Sequence, residues 1–164
     1  MVRVASATSR SGSASSSGPS LPSGRVVSTP EENRQRIIDA VAAFNRGEVD
    51  VYISSYAEDA VIHGLPADTE PSPSGLREFL EALRAGLPDL RVTIEDTVAE
   101  GDRVAVRMTY RGTHDGELFG SAPTGRTIEW DGLTIRRLRA DGRTVERWIR
   151  NDVQALLAQL ASPE

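Results

Sequence analysis

Few residue types in this chain could carry acid/base, nucleophilic or metal chemistry, and their spacing narrows them further. There are two histidines, His63 and His114, and no cysteine. That excludes a thiol nucleophile, a disulfide and a thiolate metal site. All 19 basic residues are Arg, so no Schiff base can form on a lysine. His63 stands at the end of a short apolar run, before a Pro-rich segment, where a pocket rim is expected. Its unperturbed pKa suits a general base; the alternative is a histidine bonded at a sheet end. His114 lies between glycines in a turn and can serve as a ligand contact or simply bond local backbone. Glu129 and Asp131 are two apart, hence on one face of a strand. Were that face apolar, one carboxyl of the pair would keep its proton and the two could act as acid and base. The competing reading is a pair of solvated sheet charges, or a bulge at Asp131-Gly132 that breaks the phase. Asp152 either aims at the pocket mouth or caps the last helix. Tyr52, Tyr56 and Trp130 are candidate substrate-contacting aromatics, with core packing the alternative. No nucleotide-binding glycine motif, nucleophile elbow or metal-ligand spacing is present.

These residues need a scaffold, and the patterning describes one. Residues 1–29 are Ser, Gly, Ala and Pro-rich and read as a disordered tail without a secretory h-region. The folded domain is expected over 30–164. Thr29 or Ser28 before Pro30-Glu31-Glu32 starts a helix, with Ile37, Ile38, Val41 and Phe44 as its apolar stripe. Val49, Tyr52, Ile53 and Tyr56 predict a second short helix, Ala60 to His63 a short strand, and Gly75 to Ala85 a third helix. From Leu90 the period becomes two, and four long strands follow, closed by a short helix over Val153 to Leu160. Helices segregated from an antiparallel sheet give an α+β fold with a small-molecule space between sheet and helices.

The last two strands, within residues 125–152, meet at a turn at Ala140-Asp141-Gly142. A three-residue loop sets Arg136 opposite Glu146 and Ile135 opposite Arg147. It gathers Leu133, Ile135, Val145 and Ile149 on one apolar face, with Arg136, Glu146, Trp148 and Arg150 on the other.

Several further stretches stand in a telling order: Ala43-Phe44-Asn45-Arg46-Gly47, Ala60 to His63, Tyr110 to His114 with Pro123 to Arg126, Asp141-Gly142-Arg143 with Glu146-Arg147-Trp148 and Asp152, and the closing Leu156 to Leu160. Together they resemble SnoaL-like proteins of the NTF2-like superfamily. The resemblance implies a cone-shaped α+β barrel, a curved antiparallel sheet wrapped around three N-terminal helices, dimeric through the outer sheet face. It also implies a polyketide cyclase that forms a ring by aldol-type chemistry without metal or cofactor. The family's catalytic aspartate maps to Ile149 and its assisting histidine to Ile135, so both positions are expected to line the pocket as apolar contacts.

The expected function is therefore a cofactor-independent cyclase or isomerase acting on an apolar polyketide- or terpenoid-like substrate. The alternatives are a non-catalytic binder of an apolar ligand, or an epoxide hydrolase, for which no persuasive Asp–Arg–Asp set can be assigned. With a net charge of −5, and its first 30 residues basic, the body is too acidic to suggest nucleic-acid binding. No apolar run is long enough to span a membrane, and a cytoplasmic location is expected.

Overall fold

The computed structural model describes residues 28–161, so the expected tail over 1–29 lies outside the described residues except for Ser28 and Thr29. Helix α1 spans Pro30–Asn45. Thr29 is its cap: the Thr29 hydroxyl accepts from the Glu32 amide, and the Glu32 carboxylate accepts from the Thr29 amide at 2.8 Å. Its buried face carries Ile37, Val41 and Phe44, as the spacing predicts. Helix α2 is short, Val49–Ser54, and strand β1 runs from Tyr56 to His63. Tyr56 thus opens a strand, where the sequence spacing placed it in the second helix. Its spacing from Tyr52 fits a helix, but the backbone turns at Ser55 and pairs with β5, which overrides the local pattern. Helix α3 covers Pro73–Gly86, with Ser72 as cap. Four strands follow: β2 (Arg91–Glu100), β3 (Arg103–Thr113), β4 (Thr127–Leu138) and β5 (Thr144–Asn151). Helix α4, Val153–Ala161, ends the described chain.

The five strands form one curved sheet in the order β1-β5-β4-β3-β2. The two outermost strands do not pair, so the expected barrel is open. Three strand pairs are antiparallel, but β1 lies parallel to β5, because α3 and the long strands intervene between them in the chain. Helix α1 packs on β2 and β3, α3 on β1, and α4 on β4. Asn45, at the end of α1, stitches helix to sheet: its side chain donates to the Val92 carbonyl and accepts from the Val92 amide, both at 2.8 Å.

The β4–β5 hairpin departs from the expected register, and the departure decides which residues face inward. The loop itself is the three-residue one: the Arg139 amide donates to the Arg143 carbonyl and the Gly142 amide to the Arg139 carbonyl. Gly142 adopts φ +81° there. One residue further on, Leu138 faces Thr144 but Arg137 faces Glu146, so Val145 is an extra residue in β5. The bulge slides β4 against β5 by one. Arg136 pairs with Arg147 instead of Glu146, and Ile135 pairs with Trp148 instead of Arg147. In β4 the inward residues are therefore Ile128, Trp130, Gly132, Thr134, Arg136 and Leu138. Leu133 and Ile135 are 48 % and 38 % exposed on the opposite face. In β5, Arg147 and Ile149 point in.

Candidate active site

A cleft lies between the inner sheet face and the helices α3 and α4. The void within it is narrow, about 60 Å³. Leu76, Leu80 and Leu83 of α3 form one wall. Their i, i+4, i+7 spacing puts them on one side of that helix. Tyr110 and Trp130 form the other wall as neighbours across β3 and β4, rings nearly parallel with centroids 5.0 Å apart. Gly132 makes that wall possible. A Cβ there would lie 2.5 Å from Asn151 Oδ1 and 2.7 Å from the Tyr110 ring. Both side chains therefore rest over a backbone with no side chain of its own. The bulge that Asp131-Gly132 suggested does not form; β3 and β4 pair without interruption from Thr127 to Arg137. At the mouth Phe79 and Phe119 rings meet at 6.5 Å. Phe119 holds φ +49°, a left-handed conformation costly to a bulky residue.

The inner end of the cleft is polar. Arg147 lines it and is otherwise buried. Its Nε donates to Thr134 Oγ1 at 2.9 Å, and its Nη1 donates to the Tyr52 and Tyr56 hydroxyls at 2.8 and 2.9 Å. Arg136 Nη2 donates to the same Tyr52 hydroxyl at 2.7 Å, and its guanidinium sits over both tyrosine rings. Tyr110 completes the group, so all three tyrosines of the chain gather around Arg147. Burial alone would raise the Tyr52 phenol, but the two guanidiniums outweigh it and bring it down to about 8. Burial pushes the Tyr56 phenol up, and an ionised Tyr52 beside it reinforces the rise. Tyr110 is raised by burial as well. Burial opposes the charge on Arg147, yet the tyrosine oxygens hold its proton more firmly than usual.

Known proteins bear on this geometry. The profile of the SnoaL-like polyketide cyclase family matches residues 35–160. The chain belongs to that family. Its fold is similar to that of AclR from Streptomyces galilaeus, a proposed hydroxylase, at 31 % identity and a TM-score of 0.75 over 83 % of this chain and 85 % of that one. It is similar to IdmH from Streptomyces antibioticus, a proposed polyketide cyclase, at 36 % identity and 0.70 over 80 % and 99 %. TsrD from Streptomyces laurentii matches at 26 % and 0.71 over 83 % and 100 %. No curated protein sequence gives a significant match.

Against this SnoaL-like frame the sequence-derived candidates separate. Trp130 and Ile149 line the cleft, and Tyr52 and Tyr56 stand behind Arg147 at its inner end. Ile135 does not join them; the Val145 bulge turns it to the outer face. Glu129 and Asp131 keep phase with Ile135 and so also point outward. Glu129 lies 3.6 Å from Arg111, and Asp131 accepts from the Thr109 hydroxyl. His63 is on the outer face, stacked on Trp148 with its Nε2 3.0 Å from Glu146. The His63 hydrogen bond, then that of Arg137, holds the Glu146 carboxyl below its ordinary range. Arg137, not Arg136, is the hairpin partner of Glu146. Asp152 caps α4, accepting from the Ala155 amide at 2.9 Å. His114 is fully buried below the Pro123 to Arg126 turn. Its Nδ1 meets Thr124 Oγ1, and its carbonyl accepts from the Thr124 and Gly125 amides. The residues missing from the sequence-derived set are Tyr110, Arg136, Arg147 and Asn151. Alternation gave a signal for Arg147, two residues before Ile149 on the same strand. Arg136 gave none, since its facing depends on the bulge.

Proposed function

We propose that this SnoaL-like chain closes a ring in a flexible polyketide-like substrate, by intramolecular carbon–carbon bond formation and without a cofactor. The observation that carries the reading is a stacked Tyr110–Trp130 wall in an apolar cleft that ends on Arg147. The wall and the leucines of α3 favour a compact, folded substrate. Holding reacting carbons together in this way can lower a barrier by up to roughly 7–11 kcal/mol. Aldol-type closure also builds negative charge on a carbonyl oxygen, first as an enolate and then as an alkoxide. A guanidinium fixed by three hydroxyl partners stabilises such charge without reorganising. The proton lost from carbon is regained by the new alkoxide, and Tyr110, the phenol that lines the cleft, relays it. In this reading the proton path runs through a phenol rather than the family's aspartate, which the family resemblance aligns with Ile149. IdmH, named as a proposed polyketide cyclase, supports the substrate class.

The test is product analysis after incubating the purified protein with a linear poly-β-ketone thioester. A cyclised isomer of the substrate is expected. Trp130→Ala and Arg147→Met should each lower turnover by about 10²-fold or more, whereas His63→Ala, Glu129→Gln, Asp131→Asn and Asp152→Asn should stay near the parent rate. Tight binding with no conversion would replace the cyclase by a carrier, a reading favoured by the lack of a carboxylate or histidine among the described residues that line the cleft. A product one oxygen heavier would instead point to the activity for which AclR is named.

A further inference from the structure

The inner end of the cleft holds more positive charge than ring closure of an apolar substrate requires. Arg136 and Arg147 are 1 % and 3 % exposed, and no Asp or Glu is among the buried residues described. Their hydrogen-bond partners are the neutral hydroxyls of Tyr52, Tyr56 and Thr134. Arg136 Nε and Nη1 are buried with no hydrogen-bond partner among the described residues. A buried guanidinium without a counter-anion is strongly disfavoured, and two side by side more so. A small outward move would relieve this, yet Arg136 sits locked over the Tyr52 and Tyr56 rings by the β4–β5 register. The charge is also within reach. Arg147 borders both the open cleft and a smaller cavity behind it, next to Val41, Phe44 and Met108, with Tyr110 and Leu80 shared by both spaces. A ligand that slides in along the Tyr110–Trp130 wall therefore meets Arg147 with its leading end.

We propose that this inner end is an oxyanion site, and that the ligand of this chain carries a carboxylate or an acidic, readily ionised enol that docks on Arg147. Arg136 acts through the shared Tyr52 hydroxyl and sets the field behind it. The inference rests on the cleft being the ligand site, and it changes the ligand class from apolar to amphiphilic: a flat apolar body with an anionic head. A 1,3-dicarbonyl unit belongs to this class, because its enolate spreads charge over two oxygens that match the two-pronged guanidinium. Without ligand, Tyr52 is the group placed to supply the missing negative charge, and its lowered pKa agrees with that role.

Calorimetric titration of the full chain at pH 7 with 2-naphthoate, and with its neutral isostere 2-naphthamide, tests the site. The carboxylate is expected to bind at least tenfold more tightly. That preference should fall tenfold or more in Ile149→Asp, which sets a carboxylate beside Arg147 on the inner face. Equal affinities, a preference for the amide, or no binding by either overturns the proposal. Should Ile149→Asp fail to fold, the parent protein still decides. Saturation with 2-naphthoate should raise the midpoint of tyrosine ionisation, because the ligand's charge opposes a second anion alongside. Naphthoate that binds without moving that midpoint sits elsewhere, and the proposal fails. Turnover without an anion preference sinks this inference alone; an anion preference without turnover sinks the cyclase reading alone.

Discussion

Tyr52 and its neighbours make the site readable by titration. The chain has only three tyrosines, and all surround Arg147. Alkaline absorbance at the phenolate band should show one phenol ionising at about 8 in the folded protein, and Tyr52→Phe should remove that step. The sign for stability follows from linkage. Tyr52 in the folded state lies below its ordinary value of 10.0. Its contribution is therefore complete above pH 10, and is lost as pH falls through about 8. Tyr56 and Tyr110 lie above that ordinary value, so they oppose folding once free tyrosine begins to ionise. Urea midpoints should rise between about pH 8 and pH 10 and then decline, and the rise should vanish in Tyr52→Phe. At this scale the sequence was half legible. Trp130, Ile149, Tyr52 and Tyr56 were nominated by type and by resemblance, and all four stand in or directly behind the cleft. The titratable candidates His63, Glu129, Asp131 and Asp152 rest on their chemistry and position in the sequence, Asp152 also on the family pattern, and each finds a local partner away from the cleft. Acidic and imidazole side chains attract attention in a sequence, whereas a buried arginine looks like any surface arginine until its register is known.

Among the elements, the β4–β5 hairpin carries the most consequence for its size. Alternation along each strand was legible, and so was the loop at Ala140-Asp141-Gly142. The extra residue Val145 was not, because a bulge costs no apolar residue and leaves no turn signature. Grouping apolar side chains on one face favoured the unbulged register, but tertiary contacts chose the other: Tyr52, Tyr56 and Thr134 receive two arginines that the unbulged register would separate. Deleting Val145 should close the bulge and leave the pairs beyond it in place, Arg137 with Glu146, Arg136 with Arg147 and Ile135 with Trp148. Arg136 and Arg147 then keep their tyrosine contacts, so the variant is expected to fold with a cooperative thermal transition and to keep the early phenol step of the parent; loss of both would show that the bulge itself is needed. Gly132 offers a second probe. Gly132→Ala drives a methyl group into Asn151 and the Tyr110 ring, and such overpacking costs about 1–3 kcal/mol. A lower urea midpoint with unchanged far-ultraviolet dichroism is expected, together with weaker substrate capture as the stacked wall shifts.

For the whole molecule, the helix-then-strand order dictated the α+β class, and the family motifs specified its SnoaL-like form. An open sheet leaves its outer face uncovered in a single chain. Leu133, Ile135 and Val61 are exposed there, beside the half-buried Trp148 stacked on His63. We expect this face to pair with a second copy, as the family resemblance implies. Leu133→Arg combined with Ile135→Arg should then convert a dimer into a monomer in sedimentation velocity, whereas a monomeric parent protein would remove the expectation. The sheet also divides the two tryptophans, Trp130 on the cleft side and Trp148 on the outside. Each indole thus reports a different event by its own emission. Trp148→Phe leaves a light source that dims or shifts only when something enters the interior, and Trp130→Phe leaves one that responds only when two sheets come together. Occupancy and assembly can be followed as separate optical signals, with no dye attached.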